Sequence, residues 1–322
     1  MTPVRKYKRQ YNYKSRPHEI NETKDGVPVA TFQLHHVQQL LLLLKHHLFQ
    51  HNFVPAGEIM QTLVHASDIV PDTCRNFGLA ILQQGTSTYT ECLQYYKQQL
   101  SKKNSKHREE ILLEMTFYMI QSGHLQDAQE TIRSYLQVDP FKSNSLLQGY
   151  AGLYCYTLWK EKCEHAAAVV TTSQNVNQPA VDLYAREALS HWRTLVGKPG
   201  CWDVFVVRHA EIHVHFDEVD EALDVLRQYQ QNNPTSINAY RYLIEHNEVH
   251  QKDPTLAEQL LRELTNIDPS CPEVLQLAEI LLQKDLPNYS EIQEILSRFL
   301  EYPHNSDEAK ALKLLTTVLK NT

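Results

Sequence analysis

Glycine is scarce in this chain: 9 residues in 322. Tight β-hairpins and phosphate-cradling loops draw on glycine for positive φ and close backbone approach, so its scarcity argues against a fold rich in either. No G-x-x-x-x-G-K-[ST], G-x-G-x-x-G or G-x-S-x-G string occurs, which leaves phosphate loops, dinucleotide folds and nucleophile elbows without a candidate. The six cysteines (Cys74, Cys92, Cys155, Cys163, Cys201, Cys271) include no C-x-x-C pair. Neither a disulfide framework nor a zinc ribbon is expected, and buried reduced thiols of the cytosol or nucleus are the default. Long hydrophobic runs are also missing. The most apolar stretch, Val37 to Leu44, holds five consecutive leucines but stops at Lys45-His46-His47, too short to cross a bilayer. The N-terminus is basic and tyrosine-rich, with no apolar signal region, so the expectation is a soluble intracellular protein without membrane contact.

What the chain does have is helix-forming text. Hydrophobic residues make up 42% of it, enough to build a core, and Leu, Glu, Gln and Ala runs favour an all-α fold. Three segments place a proline twelve residues after an alanine: Ala128 to Pro140, Ala222 to Pro234 and Ala257 to Pro269. They close on similar turns, Leu-Gln-Val-Asp-Pro, Gln-Gln-Asn-Asn-Pro and Thr-Asn-Ile-Asp-Pro. A small residue lets two antiparallel helices approach, and the proline stops the second helix before the next unit begins. The pattern predicts stacked antiparallel helical hairpins forming a tetratricopeptide-like solenoid, a fold that presents surfaces to other proteins more than it carries chemistry.

Read along the chain, residues 1–30 are expected to be a basic disordered tail and 31–196 an N-terminal helical-hairpin half. Residues 197–322 are expected to form a C-terminal tetratricopeptide-like half. The seam would be Gly197-Lys198-Pro199-Gly200, the sharpest punctuation in the sequence. Hairpins are predicted over 109–139, 202–233, 236–268 and, more loosely, 272–302. A further helix pair is predicted over 142–159 and 162–170, and a last helix over 306–320.

The net charge of −7 is unevenly distributed. Arg5, Lys6, Lys8, Arg9, Lys14 and Arg16 stand in a first stretch without a single acid, so the body beyond it is more acidic than the total suggests. Interleaved with Tyr7, Tyr11 and Tyr13, these cations could neutralise phosphates while the rings stack on bases or sugars. The same residues fit an import signal or a merely solvated terminus. The first two readings point to the nucleus.

Seventeen histidines raise the question of metal. His209 and His213 stand four apart, on one face of a helix, with Glu211 and His215 nearby. The order H-x-E-x-H is not that of the H-E-x-x-H proteases, and no P-C-x-x-C follows the H-x-E of zinc deaminases. A chance cluster on a helical hairpin is therefore the expectation, with no metal, no cofactor and no catalytic residue. A metal-dependent hydrolase built on His209, His213 and Glu211 remains the third reading.

One segment is more distinctive. Gly200-Cys201-Trp202-Asp203-Val204-Phe205-Val206 leads into a helix. Phe216-Asp217, Glu221-Ala222 and Val225-Leu226 follow, then Asn233-Pro234 and Asn238-Ala239-Tyr240. Upstream, Leu44, Phe53, Ala56, Ile59-Met60 and His124-Leu125-(x2)-Ala128 fall in the same order. The combination resembles the A-type component of the RNA polymerase I promoter selectivity factor, in the TATA-box-binding-protein-associated factor family. Its members extend further at the C-terminus than this chain. The resemblance implies a non-catalytic scaffold subunit that binds the TATA-box-binding protein and the other polymerase I associated factors. Such a component would support pre-initiation assembly on ribosomal DNA, in the nucleus and nucleolus, and the basic tail of this chain could add a contact to the promoter. It implies no cofactor and no small-molecule substrate. Gly200, Trp202, Asp203, Phe205 and Val206 carry the family-like motif, and its large apolar residues are expected to anchor a helix in the core. The second reading is a generic tetratricopeptide adaptor in another multiprotein complex.

Overall fold

The structure is a computed structural model that describes residues 29–66, 72–84, 88–101, 107–169, 178–200, 202–302 and 307–321. Among the described residues there are fifteen α-helices and no strand, the all-α fold the composition implies. The chain forms two compact units, Met1–Ile111 and Leu112–Thr322.

The first unit holds α1 (Val29–Phe49), α2 (Phe53–Ala66), α3 (Asp72–Gln84) and α4 (Tyr89–Ser101), and α5 (Arg108–Gln121) begins in it. Each of the first four helices packs on its chain neighbour. Val37 and Leu44 of α1 close on Ala56, Met60 and Leu63 of α2. The leucine run is thus split: Leu44 is fully buried, while Leu42 and Leu43 face outward, as a helix turning 100° per residue requires. α4 starts with a reciprocal cap, in which Thr88 N–H donates to Glu91 Oε2 at 2.7 Å and Glu91 N–H donates to Thr88 Oγ1 at 3.4 Å.

In the second unit α5 is followed by α6 (Leu125–Tyr135), α7 (Ser145–Val169), α8 (Gln178–Trp192), α9 (Asp203–His215), α10 (Val219–Asn232) and α11 (Ile237–His246). A π-helical turn (Asn247–Gln251) continues α11, and α12 (Pro254–Ile267), α13 (Glu273–Leu282), α14 (Tyr289–Leu300) and α15 (Glu308–Asn321) complete it. From α6 onward each helix packs on the next, giving the stacked, tetratricopeptide-like hairpins that the alanine–proline spacing predicts. α10 stops just before Pro234 and α12 just before Pro269, whereas α6 ends at Tyr135 and passes through a turn and a short 3-10 segment (Phe141–Ser143) before α7. Ala128 and Ala222 have no exposed surface, as a close helix approach demands; Ala257 is only half-buried.

Two features depart from the sequence reading. The pair expected over 142–159 and 162–170 is one continuous helix, α7. Lys160 and Glu161, left between the two expected helices, are good helix formers and simply lie on the solvent side with Lys162. The punctuation at Gly197–Gly200 lies inside the second compact unit, tied to α10: Asn232 Nδ2 donates to Val196 O at 3.1 Å and Gly200 N–H donates to Asn233 Oδ1 at 3.0 Å. The two units part instead at 111/112, within α5. Residues 1–28 lie outside the described residues.

Candidate functional site

The second unit contains two kinds of core. From α10 to α15 it is mainly aliphatic: Leu226, Leu243, Leu264, Val274, Leu296 and Val318 are buried in one continuous cluster that takes in only Tyr229, Tyr240 and Phe299 as buried aromatics. Around α7, α8 and the start of α9 it is aromatic. Trp192 is fully buried, and its Nε1–H donates to Gly149 O at 2.9 Å. Phe205 stacks on Trp192 with centroids 6.4 Å apart and meets Tyr150 edge-on at 5.5 Å. These contacts need glycine opposite the rings. A Cβ at Gly149 would lie 2.4 Å from Phe205, and one at Gly152 would lie 2.4 Å from Trp192 Nε1. α7 can approach the rings only because those side chains are absent.

The family-like motif stands where the two cores meet. Gly200 has φ +145°, with Trp202 packed where a Cβ would point. Trp202 stacks on Phe205 at 6.4 Å, and Phe205 and Val206 are buried. Asp203 opens α9, where a carboxylate is favoured by the helix dipole. Its two oxygens accept from different helices: Tyr229 Oη of α10 donates to Oδ1 at 2.8 Å, and Asn238 Nδ2 of α11 donates to Oδ2 at 3.2 Å. Asn233, which accepts from Gly200, also donates to Tyr229 O at 3.1 Å. Tyr240 Oη donates to Pro234 O at 3.2 Å. The strings Gly200–Val206, Asn233-Pro234 and Asn238-Ala239-Tyr240, separate in sequence, therefore form one knot that fixes α9, α10 and α11 against one another. Its chemistry is mechanical, and the expected core-anchor role of Trp202 and Phe205 is the one their packing supports.

The histidine cluster holds together only in part. His209 is buried beside Trp192 and stacks on His213 at 5.1 Å, while His213 Nδ1 pairs with Glu218 Oε2 at 2.7 Å. Glu211 turns to the other side of α9 and accepts from Tyr156 Oη and from Arg208. His215 meets the Trp159 ring edge-on at 4.8 Å. No group of three or more His, Cys, Asp or Glu side chains able to hold a metal occurs among the described residues. Burial, with His213 adding to it, pulls His209 down to about 4, so at neutral pH it is a neutral core residue. Cys155, bonded to Gln129 and Glu187, is pushed by burial up to about 12 and is no nucleophile.

The basic residues Arg5, Lys6, Lys8, Arg9, Lys14 and Arg16 lie outside the described residues. Sequence reasoning found Gly200, Trp202, Asp203, Phe205 and Val206 but missed their partners Trp192, Gly149 and Tyr229. A tryptophan followed by a helix break at Gly197 was the available signal for the first; nothing local marked the others.

A family model for the A-type TAF of RNA polymerase I matches residues 46–322. The A-type TATA box-binding protein-associated factor of RNA polymerase I from Homo sapiens is 23% identical over 305 residues, covering 87% of this chain and 67% of the relative. That of Mus musculus is 22% identical over 310 residues, with 87% and 66% covered. The chain thus spans about two thirds of the length of these relatives. Among solved structures, a human IFIT1 dimer with m7Gppp-AAAA is similar at TM-score 0.50 and 15% identity, covering 82% of this chain and 58% of that one. The C-terminal part of a TPR repeat-containing protein from Cytophaga hutchinsonii reaches TM-score 0.48 at 13% identity, covering 87% and 99%. At such identities the likeness concerns fold alone.

Proposed function

Since this chain belongs to the family of A-type TAFs of RNA polymerase I, we propose that it is a non-catalytic scaffold subunit of the polymerase I promoter selectivity factor. In this reading it binds the TATA-box-binding protein and the other associated factors in the nucleus, and it supports pre-initiation assembly on ribosomal DNA in the nucleolus. The observation that carries the proposal is the family match over residues 46–322. The motif knot at Gly200–Asp203 agrees with it, because a scaffold needs helices held in fixed relation rather than side chains poised for reaction. The basic tail adds non-specific affinity for promoter DNA, a contribution that weakens steeply with salt.

Affinity purification of the tagged chain from nuclei, followed by quantitative mass spectrometry, tests the assignment. Recovery of the TATA-box-binding protein together with the other polymerase I factors is the expected result. Recovery of an unrelated assembly without them would replace this reading with that of a tetratricopeptide adaptor. Deleting residues 1–16 from the recovered complex should lower promoter retention in low salt and leave the protein contacts intact.

A further inference from the structure

A groove of about 300 Å³ runs between α9 and α11, with Leu226 of α10 at its floor. Its apolar wall is made by Val207, Ala210, Val214, Tyr242 and Val249. Val249 is 59% exposed, although it belongs to a locked segment. It sits in the π-helical turn Asn247–Gln251, which ends at Lys252 with φ 55°. The buried Asn247 side chain holds that turn: its Nδ2 donates to Asp253 O at 2.8 Å, and Asp253 N–H donates to its Oδ1 at 3.2 Å. An apolar side chain is thereby presented to solvent by a fixed backbone, the arrangement of a preformed contact rather than of a frayed end.

The polar groups at the same groove have one character. Glu245 is exposed and carries no ion-pair partner among the described residues. Glu211 is already matched by Arg208, so Glu245 supplies the uncompensated charge. His246 lines the groove at 6% exposure, and its Nε2 has no hydrogen-bond partner. Burial, with His250 adding to it, lowers its proton affinity. That Nε2 is itself buried, so a neutral His246 imidazole brings neither a cation nor an exposed acceptor to the groove. The Glu245 carboxylate asks for a cation, and the apolar wall asks for a hydrophobic side chain.

We propose that this groove seats a segment of a partner protein in which a large apolar side chain stands within a helical turn of a lysine or arginine. The apolar side chain lies against Val207, Leu226 and Val249, and the cation meets Glu245. This inference rests on the scaffold reading and assigns it a surface and a partner chemistry.

The test places a photo-crosslinking phenylalanine at Val249 in the full chain, within the assembly recovered from nuclei, and sequences the crosslinked peptide. The expected peptide comes from a stable component of the assembly and holds an apolar residue flanked by a cation. Val249→Asp should lower recovery of that component about tenfold, and Glu245→Lys several-fold. Changing the partner's crosslinked lysine or arginine to glutamate should restore binding to Glu245→Lys. Both substitutions are on exposed side chains, and an unchanged circular dichroism spectrum excludes unfolding. Two results would overturn the proposal: crosslinks to a segment without a cation, or wild-type recovery by both variants. The identity of the captured proteins judges the polymerase I reading separately, because a cationic apolar segment of an unrelated assembly would sustain the groove and sink that reading.

Discussion

The aromatic core around α7, α8 and the start of α9 and the aliphatic core from α10 to α15 solve the same packing problem in different ways. The aliphatic hairpins repeat: a buried alanine or leucine row on one helix meets the next, and each hairpin depends chiefly on its neighbours. The aromatic part does not repeat. Trp192 fits because Gly149 and Gly152 are where they are, its N–H is satisfied by one carbonyl, and Phe205 reaches into the same space from another helix. A repeat can be extended or trimmed, whereas a fitted joint accepts one shape. In a scaffold, the joint fixes direction and the repeats supply surface.

Trp192→Ala should produce the largest change. Removing a fully buried indole costs about 3–5 kcal/mol, and the loss should remain local. Hydrogen exchange should accelerate in α7 and α8 while α12 to α14 keep their protection. Equal loss in both parts would mean that they fold as one cooperative body and that the contrast is only compositional.

Acid should find the same weak point. His209 holds its proton only below about pH 4 when folded, against about 6.5 when unfolded. The unfolded chain therefore binds more protons between those values. The proton linkage of His209 costs no stability above pH 6.5, and stability falls as pH drops through the window, by about 3 kcal/mol at most. The stability difference between wild type and His209→Leu, read by thermal unfolding, should be constant near pH 7 and shift below 6.5, with wild type losing more. Parallel curves would contradict the assignment.

The glycines sharpen the comparison at lower amplitude. Gly152→Ala should destabilise by about 1–3 kcal/mol despite alanine's better helix propensity, because the new methyl meets a ring pinned by its hydrogen bond. Gly197→Ala, whose nearest neighbour is Gln228 Nε2 at 3.6 Å, should be neutral or stabilising by about 0.5 kcal/mol. Chemical denaturation of the pair measures the difference directly. Of similar size, Glu273→Gln should cost about 1 kcal/mol, since Arg241 is 40% exposed but Glu273 is 17% exposed and accepts two bonds from it.

The contrast also explains what could be read without a structure. The hairpins were legible because their information is local and periodic: Ala222 and Pro234 lie on one helix and its exit, and a spacing suffices to see them. The continuity of α7 was not, because Lys160-Glu161-Lys162 has the composition of a linker and of a solvent-facing helical turn alike. Nothing local marks Gly149; only Phe205, far along the chain, shows why it must be glycine. The motif Gly200–Val206 was visible as a string, but its bonds to Asn233 and Asn238 depend on how hairpins stack, which no single segment encodes. The groove was hidden for the same reason: Val249 and His246 belong to a π-helical turn that ordinary helical periodicity does not announce.

Hydrogen exchange of the chain alone and of the chain within its nuclear assembly tests the central claim most directly. A scaffold with a fixed joint and a binding surface predicts new protection in 204–215 and 240–251, with the α7 and α8 peptides unchanged because they are already closed. Unchanged exchange along α9 and α11, with new protection only in α7 and α8, would contradict it: the aromatic part would then be the contact and the hairpins its support.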